Sequence, residues 1–444
     1  MTVGAMGFFK QGGASSAATP PRKSGVFAAL DIGASKTVCF IAKTEETLAG
    51  LRPRVIGVGH QSTRGVRASQ VVDVNLAVES IRAAVENAER MAGHTVSEVY
   101  LAASAGAPSS ARISVEMDLA AREVTDRDLR RILAEALRRH HEQKRVLLHA
   151  LPLSWRVDGH RGVKDPRGMF GESLGVDLHL VSAAADPLQN LISCVERCQL
   201  TVAGVAATPY VSGIAALAPD ERDLGAMLID MGAHTTTVAV FNEGALQHVD
   251  GVPVGGAHVT NDIARGLSTP VNAAERIKAL HGCALDSPDD DQIMIETPPV
   301  AGSGAVTMNQ QPKALLNAII RPRLEEVFEM VRDRLDAAGA ASAAGRSVVL
   351  TGGAAQLPGA AQLAGRVLGK QVRLGRPDTL AGLGDAVSGP GFSAAAGLLL
   401  RCVQGPSEAI SGPPRFDQGP VRIRERADGE GGMKAVWRWF AESF

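Results

Sequence analysis

The sequence predicts an α/β protein with a duplicated core, two lobes that each carry one anion-gripping hairpin and face a shared cleft. Three stretches predict it. In Leu30-Asp31-Ile32-Gly33-Ala34-Ser35-Lys36-Thr37-Val38-Cys39-Phe40 an apolar strand from Val26 ends at Asp31, a tight turn follows, and a second strand begins. Gly33 permits positive φ, and the small side chains leave backbone N–H groups facing outward, with Ser35, Lys36 and Thr37 beside them. Met227-Leu228-Ile229-Asp230-Met231-Gly232-Ala233-His234-Thr235-Thr236-Thr237 repeats that order before a further apolar strand, which indicates two similar half-molecules. In Ser347–Gly359 a buried strand meets Gly352-Gly353, and a helix is expected to start with Pro358 at its first position. Without side chains, those glycines let a purine or ribose lie on the backbone.

Taken together, the three stretches resemble the two phosphate motifs and the adenosine motif of the actin, Hsp70 and hexokinase superfamily. That resemblance implies an actin-like (ribonuclease H-like) duplicated core with two lobes and four subdomains.

The composition fits a folded chain. Its 444 residues suggest about three modules, and 45% hydrophobic with 21% charged residues is ordinary for globular proteins. A net charge of −1 gives no global field to recruit nucleic acid, so no nucleic-acid partner is expected. Cys39, Cys194, Cys198, Cys283 and Cys402 form no CxxC and no Cys/His ligand set, and read as buried thiols of a reducing compartment. No apolar run approaches the length of a spanning helix, and no signal peptide is read.

In chain order, residues 1–24, rich in Gly, Ala, Ser and Pro, read as a disordered leader. Residues 25–103 plus 180–210 form the first core subdomain. There, Val55–His60 is a third strand, Asn75 caps a helix running to Met91 with Gly93 beyond its end, and Val96–Ala103 is another strand. Residues 104–179 form a small α+β insert. Its helix follows a capping-box pattern, Thr125-Asp126-Arg127-Asp128, and is flanked by short strands at Ala111–Met117, Arg145–Ala150, Trp155–Val157 and Val176–Ser182. Asp186-Pro187 and Thr208-Pro209 each read as helix starts. Residues 211–259 plus 331–402 form the second core subdomain and 260–330 an outer one. Gly255-Gly256 feeds a helix, and Ala273–His281 is a helix with Glu275 and Lys278 on one face. Asp286–Gln311 is a loop or exposed hairpin, and Lys313–Leu335 is helical, kinked at Pro322 or split there. Residues 403–430 read as a flexible linker.

Residues 431–444 are the second informative stretch. As a helix they put Met433, Val436, Trp437, Phe440 and Phe444 on one face, with Trp439 at its edge and Lys434 and Arg438 on another side. An aromatic face with basic neighbours after a polar linker suits a helix lying in a lipid interface.

Four runs narrow the resemblance: Val55-Ile56-Gly57-Val58-Gly59 with Ser62, Arg64 and Gly65; Glu196-Arg197-Cys198; Ile277–Leu285; and Val349–Leu357. With the tail, they resemble the FtsA family of bacterial cell division over roughly 25–402 and the C-terminal end. The resemblance implies that the insert is an SHS2-like subdomain replacing one actin subdomain. It implies Mg·ATP as ligand, with Mg2+ held through water by Asp31 and Asp230. The nucleotide would contact Gly33, Ala34, Ser35 and Lys36; Gly232, Ala233, His234 and Thr235; Gly256; Glu275 and Lys278 at ribose or base; and Gly352, Gly353 and Gln356 at the adenine. It further implies filaments, an anionic inner-membrane surface bound by the tail at the cytoplasmic face of the division site, other division proteins, and the acidic C-terminal peptide of FtsZ, met by Lys313, Arg321 and Arg323. His234 departs from the glycine usual there. The helix before the second hairpin, Tyr210–Ala216, offers no Gln, Glu or Asp to orient an attacking water, so slow or undetectable ATP turnover is expected and no catalytic residue is assigned. Two other classes fit the core motifs: a small-molecule kinase of the same superfamily, which would have no use for the tail, and a pilus-assembly scaffold, which reaches the membrane through its partner.

Overall fold

The structure, a computed structural model, describes residues 25–47, 50–140, 144–300, 308–404, 408–409 and 413–416. The leader, most of the linker and the aromatic tail lie outside the described residues. The first lobe opens with β1 (Val26–Ile32), β2 (Lys36–Thr47) and β3 (Gly50–Ser62), then a two-stranded flap, β4 (Val66–Arg67) and β5 (Gln70–Val71), then α1 (Val74–Ala92) and β6 (Glu98–Ala103). Helix α1 is capped by Asp73, whose extended backbone lets its carboxylate accept from Leu76 N–H at 3.0 Å. The expected cap, Asn75, instead lies inside the first turn. Gly93, left-handed, ends the helix as expected.

An inserted antiparallel sheet follows: β7 (Ser109–Glu123), α2 (Asp126–Arg139), β8 (Arg145–Val157), β9 (His160–Val163) and β10 (Phe170–Ala184), in the order β7-β10-β8-β9. The strands run well beyond the short apolar runs of the sequence, because exposed charged residues alternate with buried ones along them. Ile132, Leu133 and Ala136 of α2 pack on Val115, Leu119, Trp155, Leu174 and Val176. Thr125 and Asp128 close the capping box, and Arg122 grips Asp128 with two bonds of 2.7 and 2.5 Å.

The chain re-enters the first lobe through α3 (Ala185–Glu196) and β11 (Thr201–Ala207). Helix α3 starts one residue before Asp186, directly off β10, so Asp186 and Pro187 occupy its first turn, where an acid suits the helix dipole and a missing N–H goes unmissed. Next come α4 (Thr208–Ala216), α5 (Pro219–Leu224), β12 (Ala226–Met231), β13 (Thr236–Asn242) and β14 (Ala245–Val252). The outer part holds α6 (Gly256–Gly266), α7 (Val271–His281) and the hairpin β15 (Met294–Thr297) and β16 (Asn309–Pro312). Helix α8 (Lys313–Ala337) continues through Pro322 as one element rather than two. The chain ends in β17 (Ser347–Thr351), α9 (Ala360–Leu368), β18 (Gln371–Leu374) and α10 (Ser393–Gln404). Pro358 does not open α9. Gly359, at φ 80°, is its N-cap, and a short 3-10 turn, Ala354–Gln356, precedes it.

The duplication is visible in the sheets. One runs β3-β2-β1-β6-β11 and the other β14-β13-β12-β17-β18, with antiparallel pairs in the first half of each and parallel pairs in the second. Helix α4, buried almost throughout, joins the lobes and crosses α10 at Gly397, where a Cβ would sit 1.7 Å from the Val211 carbonyl oxygen. That contact allows no side chain. Gly397→Ala is therefore expected to destabilise the fold by about 1–3 kcal/mol, read as a lower urea midpoint at unchanged slope.

The insert braces both lobes. Val146, Leu148, Leu151, Val181 and Ala183 join the first-lobe core. Its other edge meets β14: His179 Nδ1 donates to the Leu246 carbonyl at 2.8 Å, Ser110 Oγ accepts from Val249 N–H at 2.6 Å, and Arg112 donates to the Gln247 carbonyl at 3.0 Å.

Candidate functional site

Both hairpins close in the same way. Gly33 N–H donates to the Lys36 carbonyl at 3.0 Å, and Gly232 N–H donates to the Thr235 carbonyl at 2.9 Å. Each turn thereby uses its glycine N–H internally and leaves the next ones pointing away from the sheet. Among the described residues, the amides of Ala34, Ser35, Ala233, His234 and Thr235 meet no acceptor. The start of α6 pins the second turn from behind, with Gly256 N–H on Gly232 O at 2.9 Å and Ala257 N–H on Ala233 O at 2.7 Å.

The two turns line one cleft of about 550 Å³. Asp31, Gly33–Lys36, Asp230, Gly232–Thr235, Gly256, Glu275, Lys278, Gly352, Gly353 and Gln356 all border it. The sequence thus names residues far apart in the chain that the fold brings to one place.

The electrostatics of the cleft centre on its two aspartates. Burial, and then the negative charge of Asp230, push Asp31 up to about 7, against the pull of Lys36. Burial also raises Asp230, while the Ser212 hydroxyl, donating to Oδ2 at 2.6 Å, and Lys36 work the other way. The Asp230 charge disfavours the Asp31 anion, and a cation beside the pair would relieve it. Lys36 supplies part of that charge, its Nζ 3.4 Å above the Phe392 ring, and burial lowers its own pKa. Gly352, at φ 87°, passes so near that a Cβ would lie 2.5 Å from Asp230 Oδ1.

On the far wall, Lys278 Nζ donates to Gly256 O at 3.1 Å, to Thr260 Oγ1 at 2.7 Å and to Glu275 Oε2 at 2.7 Å. The pair is tied into α6 through Thr260, which also donates to Glu275, so it is more than an intrahelical ion pair on a solvated face. His234 lines the cleft, and its Nδ1 is buried without a partner among the described residues.

Sequence reasoning missed three hydroxyls. Ser212 orients Asp230, and Ser69 reaches Thr235 at 3.4 Å. Thr208 lines the cleft with Oγ1 buried and unpartnered among the described residues. Ser212 and Thr208 stand in or beside the stretch searched only for Gln, Glu and Asp, so the four-residue spacing of two hydroxyls on α4 was the available signal. Free amides, orphaned hydroxyl and imidazole atoms and a side-chain-free glycine floor together fit a phosphorylated ligand.

The three basic residues expected to meet a partner peptide all have carboxylate partners in the chain itself. Lys313 pairs with Asp290 at 2.9 Å, Arg321 with Asp286, and Arg323 with Asp262 at 2.6 Å and with Glu326.

Duplicated sheets, facing hairpins and the insert define an actin-like protein. Solved structures share the fold: a PilM–PilN type IV pilus biogenesis complex (TM-score 0.60, 19% identity, 86% of this chain and 99% of that one) and MreB5 of Spiroplasma citri bound to ADP (TM-score 0.50, 12% identity, 85% and 96%). Residues 227–397 match the family model of the cell division protein FtsA, and residues 106–182 match that of the SHS2 domain inserted in FtsA. The cell division protein FtsA of Agrobacterium fabrum is 42% identical over 430 residues, covering 95% of this chain and 96% of the relative. That of Rhizobium meliloti is 43% identical over 388 residues (86% and 88%), and that of Escherichia coli 34% over 378 (83% and 88%). The chain belongs to the FtsA family of cell division proteins. Among the described residues, no helix is long and apolar enough to cross a membrane.

Proposed function

We propose that this chain binds Mg·ATP between its lobes, assembles into filaments, and ties FtsZ filaments to the cytoplasmic face of the inner membrane at the division site. The observation that carries the reading is the pair of matching turns whose free amides and aspartates face one cleft. The ADP held by MreB5, which shares the fold, supports a nucleotide there. Asp31 and Asp230 hold the metal through its waters, since Mg2+ parts with them reluctantly. The amides of Ala34 and Ser35 and of Ala233 to Thr235 take phosphate oxygens, Gly352-Gly353 floors the adenine beside Gln356, and Glu275 and Lys278 take the ribose or base.

Helix α4 offers Thr208 and Ser212 but no Gln, Glu or Asp to orient an attacking water, so slow turnover is expected. The expected outcome is phosphate release slower than about 1 s⁻¹ with Mg·ATP in excess; a faster rate in a continuous phosphate assay contradicts this.

Membrane attachment rests on the tail. One interfacial helix binds lipid reversibly, and many on one filament bind together through effective concentration. Deleting residues 433–444 is expected to release the protein from anionic liposomes in a pelleting assay, whereas unchanged co-sedimentation contradicts the tail as anchor. FtsZ is expected to pellet with liposomes only when the intact chain is present. Because Lys313, Arg321 and Arg323 are ion-paired, an acidic FtsZ peptide docking on the outer subdomain has to exchange those partners, which makes its binding salt-sensitive.

A further inference from the structure

The flap between β4 and β5 is bent back by two successive non-glycine residues in the left-handed region, Ala68 at φ 48° and Ser69 at φ 59°. Two-residue hairpins of this shape favour Asn-Gly, so an Ala-Ser pair here is held by something else. The flap reaches across the cleft from the first lobe to the second, with Ser69 Oγ 3.4 Å from Thr235 Oγ1. Beside it stands His234, whose ring meets that of His258 edge-on at 6.1 Å between centroids and whose Nδ1 has no partner among the described residues. His258 Nδ1 is engaged, accepting from Gly255 N–H at 3.1 Å. Burial, then His258, then the flap's Arg67 all lower the basicity of His234, so it stands as a neutral ring.

Sheet order says which end of a nucleotide these groups meet. Strand β17, which leads to the Gly352-Gly353 floor, flanks β12 on one side, whereas Thr235 precedes β13 on the other. The Gly352-Gly353 floor and the flap thus lie on opposite sides of the second turn, and an adenosine on that floor would have its phosphates run toward the flap. Resting on the nucleotide reading above, we infer that Ser69 and His234 form a sensor for the terminal phosphate, through which the cleft distinguishes a nucleoside triphosphate from the diphosphate. The Ser69 hydroxyl and the His234 ring bond the last phosphate, and the Arg67 charge favours it. A diphosphate leaves them idle, and only the long-range contact of Ser69 with Thr235 remains.

The test measures Mg·ATP and Mg·ADP affinities of the full chain by competition with a fluorescent nucleotide. Ser69→Gly removes the hydroxyl and suits the existing φ, so it preserves the flap; His234→Ala removes the imidazole. Each is expected to weaken ATP about ten-fold relative to ADP. If both nucleotides weaken alike, or if neither does, the sensor is overturned. A wild-type chain that binds neither nucleotide overturns both the sensor and the reading it rests on. A chain whose binding is lost in Asp230→Ala but whose ATP/ADP ratio is indifferent to Ser69→Gly and His234→Ala overturns the sensor alone.

Discussion

Replacing Asp230 with alanine is expected to weaken Mg·ATP binding by about 100-fold, with a much smaller change for nucleotide offered without the metal. The carboxylate faces Asp31 across the cleft and is aimed by Ser212, so its loss removes half of the negative pair that a cation relieves. Ser212→Ala leaves the charge and removes only its orientation, for an expected loss of about ten-fold. The ordering matters more than either value. If Ser212→Ala were as severe as Asp230→Ala, the serine would be touching the ligand itself. Isothermal titration with and without magnesium separates the cases.

Glu408→Ala is expected to destabilise the protein by about 3 kcal/mol. Glu408 lies beyond α10, with its side chain only 5% exposed. It accepts from Arg401 Nη2 at 2.8 Å and Nε at 3.1 Å, and faces His149 Nδ1 at 3.2 Å. His149 Nε2 accepts from Ala207 N–H at 2.9 Å, so Nδ1 carries the proton and donates to the carboxylate, and burial keeps the ring neutral by lowering its pKa. The next residue, Ala409, donates to the Ala150 carbonyl at 2.7 Å. The segment therefore straps the insert to the body, and removing the carboxylate leaves the Arg401 charge without a counter-ion in a largely closed space. Burial by itself raises the Glu408 carboxyl, but Arg401 and then His149 outweigh it and hold the group below its ordinary value of 4.5. A depressed carboxyl stabilises the folded state above that value, and the benefit fades as pH falls through the folded pKa. The wild type is thus expected to lose stability in acid below about pH 4.5 by more than Glu408→Gln does, as read from urea midpoints across pH.

The fold was legible where backbone chemistry and pattern agree. Asp31-x-Gly33 and Asp230-x-Gly232 each announce a turn whose amides must face outward, and repetition in one chain announces the duplicated sheets. Strand and helix ends were less legible. Asp73 and Asn75 are equally good caps on paper, and only an extended backbone at residue 73 decides between them. Asp186-Pro187 reads as a helix start, yet β10 runs straight into the helix, which begins one residue earlier at Ala185. In the site, charged and glycine positions were visible from residue type. Ser69 was not, because its place depends on a flap from the other lobe, and neither was Glu408, which sits in a stretch whose composition reads as linker. The basic residues of α8 show the opposite limit: residue type suggests an open cationic surface, whereas the fold gives each one a carboxylate.

We propose that two aspartate-tipped turns hold one metal–nucleotide complex. Equilibrium dialysis of the full chain against labelled ATP and magnesium tests it most directly, alongside Asp31→Ala and Asp230→Ala variants whose circular dichroism matches the wild type. Saturable binding of a single nucleotide per chain is expected, weakened about 100-fold on removing either aspartate. Binding as tight in both variants as in the wild type, or a wild-type chain that takes up no nucleotide, would contradict it.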